Sequence, residues 1–166
     1  MKVTLFLAAL CLAGCGKASD LPADAQAKFN PIAFFAGRSH GDASLRKIFS
    51  GSVPVQVDSI GRSDGQGGLI LDQTIREGAK PARQRSWTMR PVAPGRFTGT
   101  LTDAVGPVEV TIAGPRANIR YRMKSGLDVE QQLALQSDGR TLLNVLIVKK
   151  LGVRVARLTE TIRKLD

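Results

Sequence analysis

The chain has 166 residues, about one domain, and its 24 Lys and Arg against 14 Asp and Glu give a net charge of +10. Two Cys and one His argue against a disulfide scaffold and a zinc ribbon, and disfavour histidine-based metal or triad chemistry. Hydrophobic residues make up 43% of the sequence, which is typical of a globular protein and not of a disordered basic tail.

The N-terminus is typical of an export signal. After a positively charged start, residues 3–12 form an apolar run that is too short to span a membrane, which takes about 20 such residues. The run ends in Leu12-Ala13-Gly14-Cys15, which resembles the lipobox of bacterial lipoproteins. That resemblance implies cleavage before Cys15 and acylation of Cys15, which would anchor the protein to a membrane. The alternative is that Cys15 merely ends an ordinary signal peptide.

Residue 16 is Gly and not Asp, and by resemblance to the lipoprotein sorting rule this implies the outer membrane, on its periplasmic face. We therefore expect a signal peptide over 1–14, a lipid anchor and tether over 15–29, and a folded body over 30–166. Cleavage would leave Cys15 as the one thiol, so no intramolecular disulfide is expected.

The body is predicted to be all-β. Turn signals recur every 8 to 14 residues, which suits short antiparallel strands and leaves no room for crossover helices. The predicted strands are 39–49, 52–60, 68–77, 82–90, 96–103, 107–113, 117–124, 128–136, 141–149 and 153–164. Because closure removes exposed strand edges, we expect a single up-and-down barrel of about eight to ten strands. The stretch 30–35 is predicted to form a short helical plug.

One hairpin can be specified by its charges. If the loop is 125–127, Lys124 lies opposite Asp128 and Arg122 opposite Glu130, whereas a two-residue loop would put these acids beside apolar residues. We therefore predict the three-residue loop.

The strand 141–149 is apolar on both faces, which indicates that both are covered. Either the tether or the plug packs on its outer face, or that face contacts a partner or the membrane. Asn144 stands alone among its apolar residues and needs hydrogen-bond partners if it points inward, as a structural residue or as a ligand contact.

Several short strings resemble an uncharacterised bacterial lipoprotein family, catalogued as domain of unknown function 3833. They are an opening Asn-Pro-x-x-Phe-Phe-x-Gly-Arg, an Asp-Ala-Val-Gly turn, and a closing Asp-Gly … Asn … Gly pattern. The matching residues are Asn30, Pro31, Phe34, Phe35, Gly37, Arg38, Asp103, Gly106, Asp138, Gly139, Asn144 and Gly152. The resemblance implies a calycin-like, lipocalin-type barrel and no established activity. This chain departs from the family at 39–44, and it has Val145 where the family has Arg.

No residue pattern indicates catalysis, a metal or a cofactor. His40 is the sole histidine and is more typical of a surface position than of a site at the barrel mouth. The candidate ligand-binding residues are Trp87, Tyr121 and Asn144. The arginines around Trp87, among them Arg85, and those of the second half suit either a solvated strand face or anionic lipid headgroups, and not nucleic acid.

Three functions remain open. The barrel binds a lipid or other apolar ligand, or the protein is an envelope structural or assembly factor that uses its basic outer face to contact membrane or a partner. Enzymatic activity is the third alternative, and we do not expect the protein to be an enzyme. We expect a monomer whose partner is the membrane, through Cys15.

Overall fold

The computed structural model describes residues 21–23 and 26–166. The predicted signal peptide, its residues Leu12, Ala13 and Gly14, and the predicted acylation site Cys15 lie outside these residues. No helix in the described part of the chain is long and apolar enough to cross a membrane.

The body is all-β, as predicted, with one helical turn and ten strands. The helix is α1 (Pro31–Phe35), and the strands are β1 (Gly37–Lys47), β2 (Ser52–Ser63), β3 (Leu69–Glu77), β4 (Arg83–Ala93), β5 (Arg96–Leu101), β6 (Ala104–Ala113), β7 (Arg116–Met123), β8 (Asp128–Leu135), β9 (Thr141–Lys150) and β10 (Val153–Lys164). Each strand pairs antiparallel with its neighbours in sequence, and β1 pairs with β10 to close the barrel. Strand β6 begins at Ala104 and not at the predicted residue 107, because an irregularity between Val105 and Glu109 accommodates Gly106 and Pro107 within the strand.

The helix α1 closes one end of the barrel, as predicted. The side chain of Asn30 accepts hydrogen bonds from the backbone N–H of Ile32 (3.0 Å) and Ala33 (3.3 Å), which caps the helix start. Phe34 and Phe35 are buried, and Phe34 packs edge-to-face between Phe35 and Phe29. Because Phe29 is only 5% exposed, the folded core includes the last residue of the predicted tether.

The two ends of the barrel differ. The end that carries α1 also carries the turns 64–68, 94–95, 114–115 and 136–140, and we call it the closed end. The other end, which we call the mouth, carries the turns 48–51, 78–82, 102–103, 124–127 and 151–152.

The predicted register of the β7–β8 hairpin is wrong by two residues. Arg122 lies opposite Asp128 and Arg120 opposite Glu130, and Glu130 forms its ion pair with Lys149 at 2.8 Å. The loop has three residues, but they are 124–126: the Gly126 N–H donates to the Met123 oxygen and the Met123 N–H donates to the Leu127 oxygen. Gly126 has φ +78°, the left-handed conformation that the third residue of such a loop requires. The charge pattern cannot detect this slip, because a shift of two residues leaves every side chain on its own face.

Both faces of β9 are apolar, and the N-terminal segment lies on the outer one. Leu21 lines a groove on the outside of the barrel together with Leu143 and Val145. The side chain of Gln136 donates a hydrogen bond to the Pro22 oxygen (2.7 Å). Coverage by the tether, one of the two alternatives for this face, therefore agrees with the structure, whereas the plug lies at the closed end.

Candidate ligand-binding cavity

The barrel encloses a cavity of about 490 Å³ that runs from Phe35 at the closed end to Ile48 and Leu127 at the mouth. Pockets of roughly 300–1,000 Å³ are the usual size for small-molecule ligands. Strand alternation turns every second side chain inward. On the mouth side the wall is mainly apolar, formed by Leu45, Val55, Ile75, Val129, Leu146, Val148 and Leu158.

Polar side chains form a belt around the middle of this wall. The belt comprises Ser59, Gln73, Arg85, Trp87, Tyr121, Asn144 and Glu160, from six different strands. Gln73 is its centre: its amide oxygen accepts from Trp87 Nε1 (2.8 Å) and from Arg85 Nη2 (2.8 Å) and Nε (3.1 Å). Its amide nitrogen donates to Ser59 Oγ (3.0 Å), so the amide is held in one orientation.

Arg85 is a partly buried cation without a carboxylate in contact with it. No Asp or Glu oxygen of the described residues lies within 4 Å of its guanidinium, and its hydrogen bonds go to the neutral Gln73. The guanidinium also lies 5.3 Å from the centre of the Trp87 ring, within cation–π distance. Burial lowers the pKa of Arg85, while the more distant charges of Asp103 and Glu160 act in the opposite direction. A guanidinium stays protonated in proteins, so a positive charge that touches no carboxylate faces the cavity, with Glu160 on the opposite wall.

Tyr121 extends the belt beyond Trp87. Its ring packs edge-to-face on Trp87, with ring centres 5.7 Å apart. Burial raises the pKa of the Tyr121 phenol, while the nearby Arg85 acts in the opposite direction. The phenol is therefore neutral at physiological pH and offers a hydroxyl donor beside the guanidinium.

Asn144 and Glu160 form the opposite side of the belt. The Asn144 amide nitrogen donates to Glu160 Oε2 at 2.7 Å, and the Asn144 amide oxygen is buried without any hydrogen-bond partner in the described structure. Gly41 makes room for this pair, because a Cβ there would overlap Glu160 Oε1. Burial raises the pKa of the Glu160 carboxyl.

This raised pKa predicts a pH-dependent effect of Glu160→Gln. A carboxyl whose pKa is higher in the folded than in the unfolded state stabilises the fold below the unfolded value, here 4.5, and loses that contribution as the pH rises through the folded value. The amide of Gln can still accept from Asn144 and carries no charge. We therefore expect the variant to melt a few degrees higher than the wild type at pH 7.5 and no higher at pH 4, as measured by circular dichroism. A gain of the same size at both pH values would contradict this assignment.

The structure brings the three sequence-predicted ligand residues, Trp87, Tyr121 and Asn144, into one cavity, with Asn144 on the side opposite Trp87. Contact with a ligand stays a prediction for each of them. Sequence reasoning missed Arg85, which was grouped with the outer basic residues. Its position, two residues before Trp87 and four before the buried Met89, is the alternation signal that places it inward.

Most family-motif residues lie at the ends of the barrel and not in the cavity. Asn30, Pro31 and Phe34 build the plug, and Gly37 and Arg38 meet Asp166 beside it. Asp103 forms an ion pair with Arg83 at 3.0 Å, and Asp138 accepts three hydrogen bonds from Arg140 and Thr141 in the β8–β9 turn. Gly106, Gly139 and Gly152 all have positive φ. Phe35 and Asn144 alone of this set line the cavity.

His40 lies on the outer face of β1, away from the cavity. Its Nδ1 is 2.6 Å from an oxygen of Asp58, and its Nε2 is 3.2 Å from an oxygen of Asp42. The hydrogen bond with Asp58 raises the pKa of His40, as an ion-paired surface histidine requires. Among the described residues, no group of three or more His, Cys, Asp or Glu side chains is arranged to hold a metal ion.

Comparison with known proteins gives a family and a fold. A family model described as protein of unknown function (DUF3833) matches residues 9–164. No curated protein matches the chain.

Solved structures that are similar to this chain include the following three. The S-type phycobiliprotein lyase CPES from Guillardia theta is 9% identical, with a TM-score of 0.64 over 81% of this chain and 90% of that chain. A protein of unknown function from the DUF3598 family of Nostoc punctiforme is 13% identical, with a TM-score of 0.65 over 85% of this chain and 51% of that chain. Rv2717c from M. tuberculosis is 13% identical, with a TM-score of 0.57 over 84% of this chain and all 100% of that chain. At such identities the likeness shows the fold alone, and it confirms the predicted lipocalin-like barrel.

Proposed function

Because the chain belongs to the family described as protein of unknown function (DUF3833), we propose a function from its own cavity: the barrel binds an elongated apolar molecule that carries an anionic head group. The observation that supports this most directly is Arg85. Its guanidinium faces the cavity with no carboxylate of the described residues within 4 Å. A partly buried charge that touches no carboxylate is costly, and a ligand carboxylate or phosphate would offset that cost.

The distribution of polarity along the cavity indicates how such a ligand lies. The polar belt crosses the middle of the cavity, and the apolar wall that includes Leu45, Leu146 and Val148 lies on its mouth side. On the strand of Arg85, the next inward residue toward the mouth is Arg83. A head group at the belt would accept from Arg85 and from the neutral Tyr121 hydroxyl, with the apolar tail along the wall toward the mouth. This orientation buries the charged group and leaves only the end of the tail near water.

The function does not call for catalysis. His40 is on the outer face, and the belt holds its titratable groups at fixed hydrogen bonds without a nucleophile–base pair in the described residues. The name of the phycobiliprotein lyase applies to that protein, and only the barrel fold is shared with this chain.

We also propose that the protein acts while anchored to a membrane through an acylated Cys15. The support is the Leu12-Ala13-Gly14-Cys15 string at the end of a short apolar run. The chain from Cys15 to Leu21, where the N-terminal segment meets the outer face of β9, would link the barrel to the bilayer surface. The outer membrane, on its periplasmic face, is the location that the residue after Cys15 favours.

Mass spectrometry of the full chain, expressed in a bacterial envelope and extracted in mild detergent, tests both proposals. Under native conditions we expect a stoichiometric adduct that solvent extraction identifies as a fatty acid, lysophospholipid or similar anionic amphiphile. The denatured mass should correspond to a chain that begins at an acylated Cys15.

The two proposals fail separately in this experiment. A chain without adduct, which also takes up no parinaric acid, would contradict ligand binding whatever its N-terminus. An unmodified Cys15 would contradict anchoring and leave the cavity result standing. A bound neutral sterol or hydrocarbon would contradict the anionic head group alone.

A further inference from the structure

Two neighbouring turns at the mouth carry the most exposed large apolar side chains in the described part of the chain. Phe49, between β1 and β2, is 99% exposed, and Leu151, between β9 and β10, is 90% exposed. Ile48 and Val153 beside them are also exposed. The turns are adjacent, because β1 pairs with β10 and the Ile48 N–H donates to the Val155 oxygen at 2.8 Å. We call Ile48, Phe49, Leu151 and Val153 together the mouth tip.

The backbone of the mouth tip is unusual. Phe49 has φ +62° and Leu151 has φ +50°, and no other non-glycine residue of the described chain has a positive φ. Bulky side chains rarely adopt this left-handed conformation, because the Cβ crowds the following backbone. The turns require it: Leu151-Gly152 is a two-residue hairpin loop with positive φ at both positions, and Phe49 is the third residue of a turn closed by the Ser50 N–H donating to the Lys47 oxygen. Such positions usually hold Gly or Asn, whereas here each holds a large apolar side chain that projects into solvent.

The charges around the mouth tip are positive. Lys150 and Arg154 flank the turn of Leu151, and Arg46 precedes the turn of Phe49. None of the three has a carboxylate of the described residues within 4 Å, whereas their neighbours Lys47 and Lys149 are paired with Glu77 and Glu130. Exposed apolar side chains ringed by unpaired cations match the interface of an anionic bilayer, where the apolar groups enter the headgroup layer and the cations meet phosphates.

We propose that the mouth tip inserts into the surface of an anionic membrane, so that the cavity opens directly onto lipid. Ile48 and Val155 belong both to the rim and to the cavity wall, which makes the apolar path from bilayer to cavity continuous. The tether is compatible with this orientation. Leu21 lies on the outer face beside Val145, and the strand rises about 17 Å from there to the mouth. Six residues of chain from Cys15 to Leu21 span up to about 20 Å, which reaches that level.

Tryptophan fluorescence in vesicles tests this orientation in the full chain. Phe49→Trp puts a reporter in the mouth tip, and Val92→Trp puts one at another exposed apolar position, 58% exposed, at the closed end. Trp87 contributes the same background to both. In vesicles of phosphatidylethanolamine and brominated phosphatidylglycerol, at three to one, we expect at least twofold quenching of the Phe49→Trp signal and none of the Val92→Trp signal.

The charges supply the second arm. Lys150→Glu combined with Arg154→Glu should abolish most of the quenching in the Phe49→Trp protein. Vesicles of brominated phosphatidylcholine alone, which carry the quencher without net charge, should likewise give little quenching. Equal quenching of the two reporters, or quenching at Val92 alone, would overturn the proposal, and so would quenching that ignores both the charge reversal and the lipid charge. Near-ultraviolet circular dichroism confirms that each variant is folded, since all four positions are exposed.

Discussion

Replacing Arg85 by Met is expected to weaken the binding of a carboxylate ligand by roughly ten- to a hundredfold. A hydrogen bond to a charged group contributes about 1.5–3 kcal/mol, which is that ratio in Kd. Methionine fills a similar volume and removes only the charge and its donors. The measurement is a titration with parinaric acid in which binding is monitored by energy transfer from Trp87. Trp87 is the sole tryptophan and belongs to the belt.

The control for this variant lies on the same strand. Arg90 is exposed on the outer face, so Arg90→Met should bind parinaric acid as the wild type does. A neutral probe, parinaryl alcohol, should bind to Arg85→Met at least as well as to the wild type. Equal loss of both probes would mean that the substitution damages the cavity and that Arg85 does not select the head group.

Stability should move in the opposite direction. The guanidinium is a partly buried charge whose hydrogen bonds go to the neutral Gln73, so its replacement by an apolar side chain is expected to leave the free energy of unfolding unchanged or to raise it. A residue kept for binding at the expense of stability behaves in this way, whereas a structural arginine would not.

Removal of the plug aromatic by Phe34→Ala is expected to lower the free energy of unfolding by about 3–5 kcal/mol. Phe34 is 6% exposed and makes edge-to-face contacts with both Phe29 and Phe35, so little can move to fill the space that it leaves. For a domain of this size the loss lowers Tm by roughly 10 °C, measured by thermal unfolding.

Phe49→Ala is the matched control, because the same side chain is removed where it is 99% exposed. Its Tm should stay within about a degree of the wild type, since surface substitutions rarely exceed 0.5 kcal/mol. If the two variants melted together, the plug would not be part of the cooperative core.

The all-β class, ten strands and the plug could be predicted because each follows from a local signal. Alternating apolar residues set the strands, and Gly and Pro set the turns between them. The Asn30 cap followed by Pro31 begins the helix. Register was harder, because the charge pattern suits the loops 124–126 and 125–127 equally. The requirement for a left-handed third residue, which Gly126 meets only in the loop 124–126, is the signal that was missed.

The cavity was predictable only in part. Trp87 and Tyr121 are aromatic residues on strands that alternate apolar and polar side chains, which favoured them as ligand-binding residues. Arg85 was assigned to the outer face because a charged residue is normally solvated. Its spacing of two residues from Trp87, which indicates the inner face, was given less weight than that expectation. The Asn144–Glu160 pair joins two strands and depends on the absence of a side chain at Gly41, a three-body relation that no single segment of sequence contains.

The seam of the barrel has a consequence for how the protein is made. Nine of the ten strand pairs join consecutive strands, but β1 pairs with β10, so that Ser39 lies opposite Lys164. Hairpins can form as the chain grows, whereas the β1–β10 pair must wait until β10 has been made. Its formation then carries the entropic cost of closing the long loop of chain between the two strands. Until that moment β1 and β10 are open edges able to pair with other chains. A chain that is exported before it folds would expose these open edges outside the cytoplasm. The yield of folded protein would then depend on how quickly β1 and β10 pair after translocation.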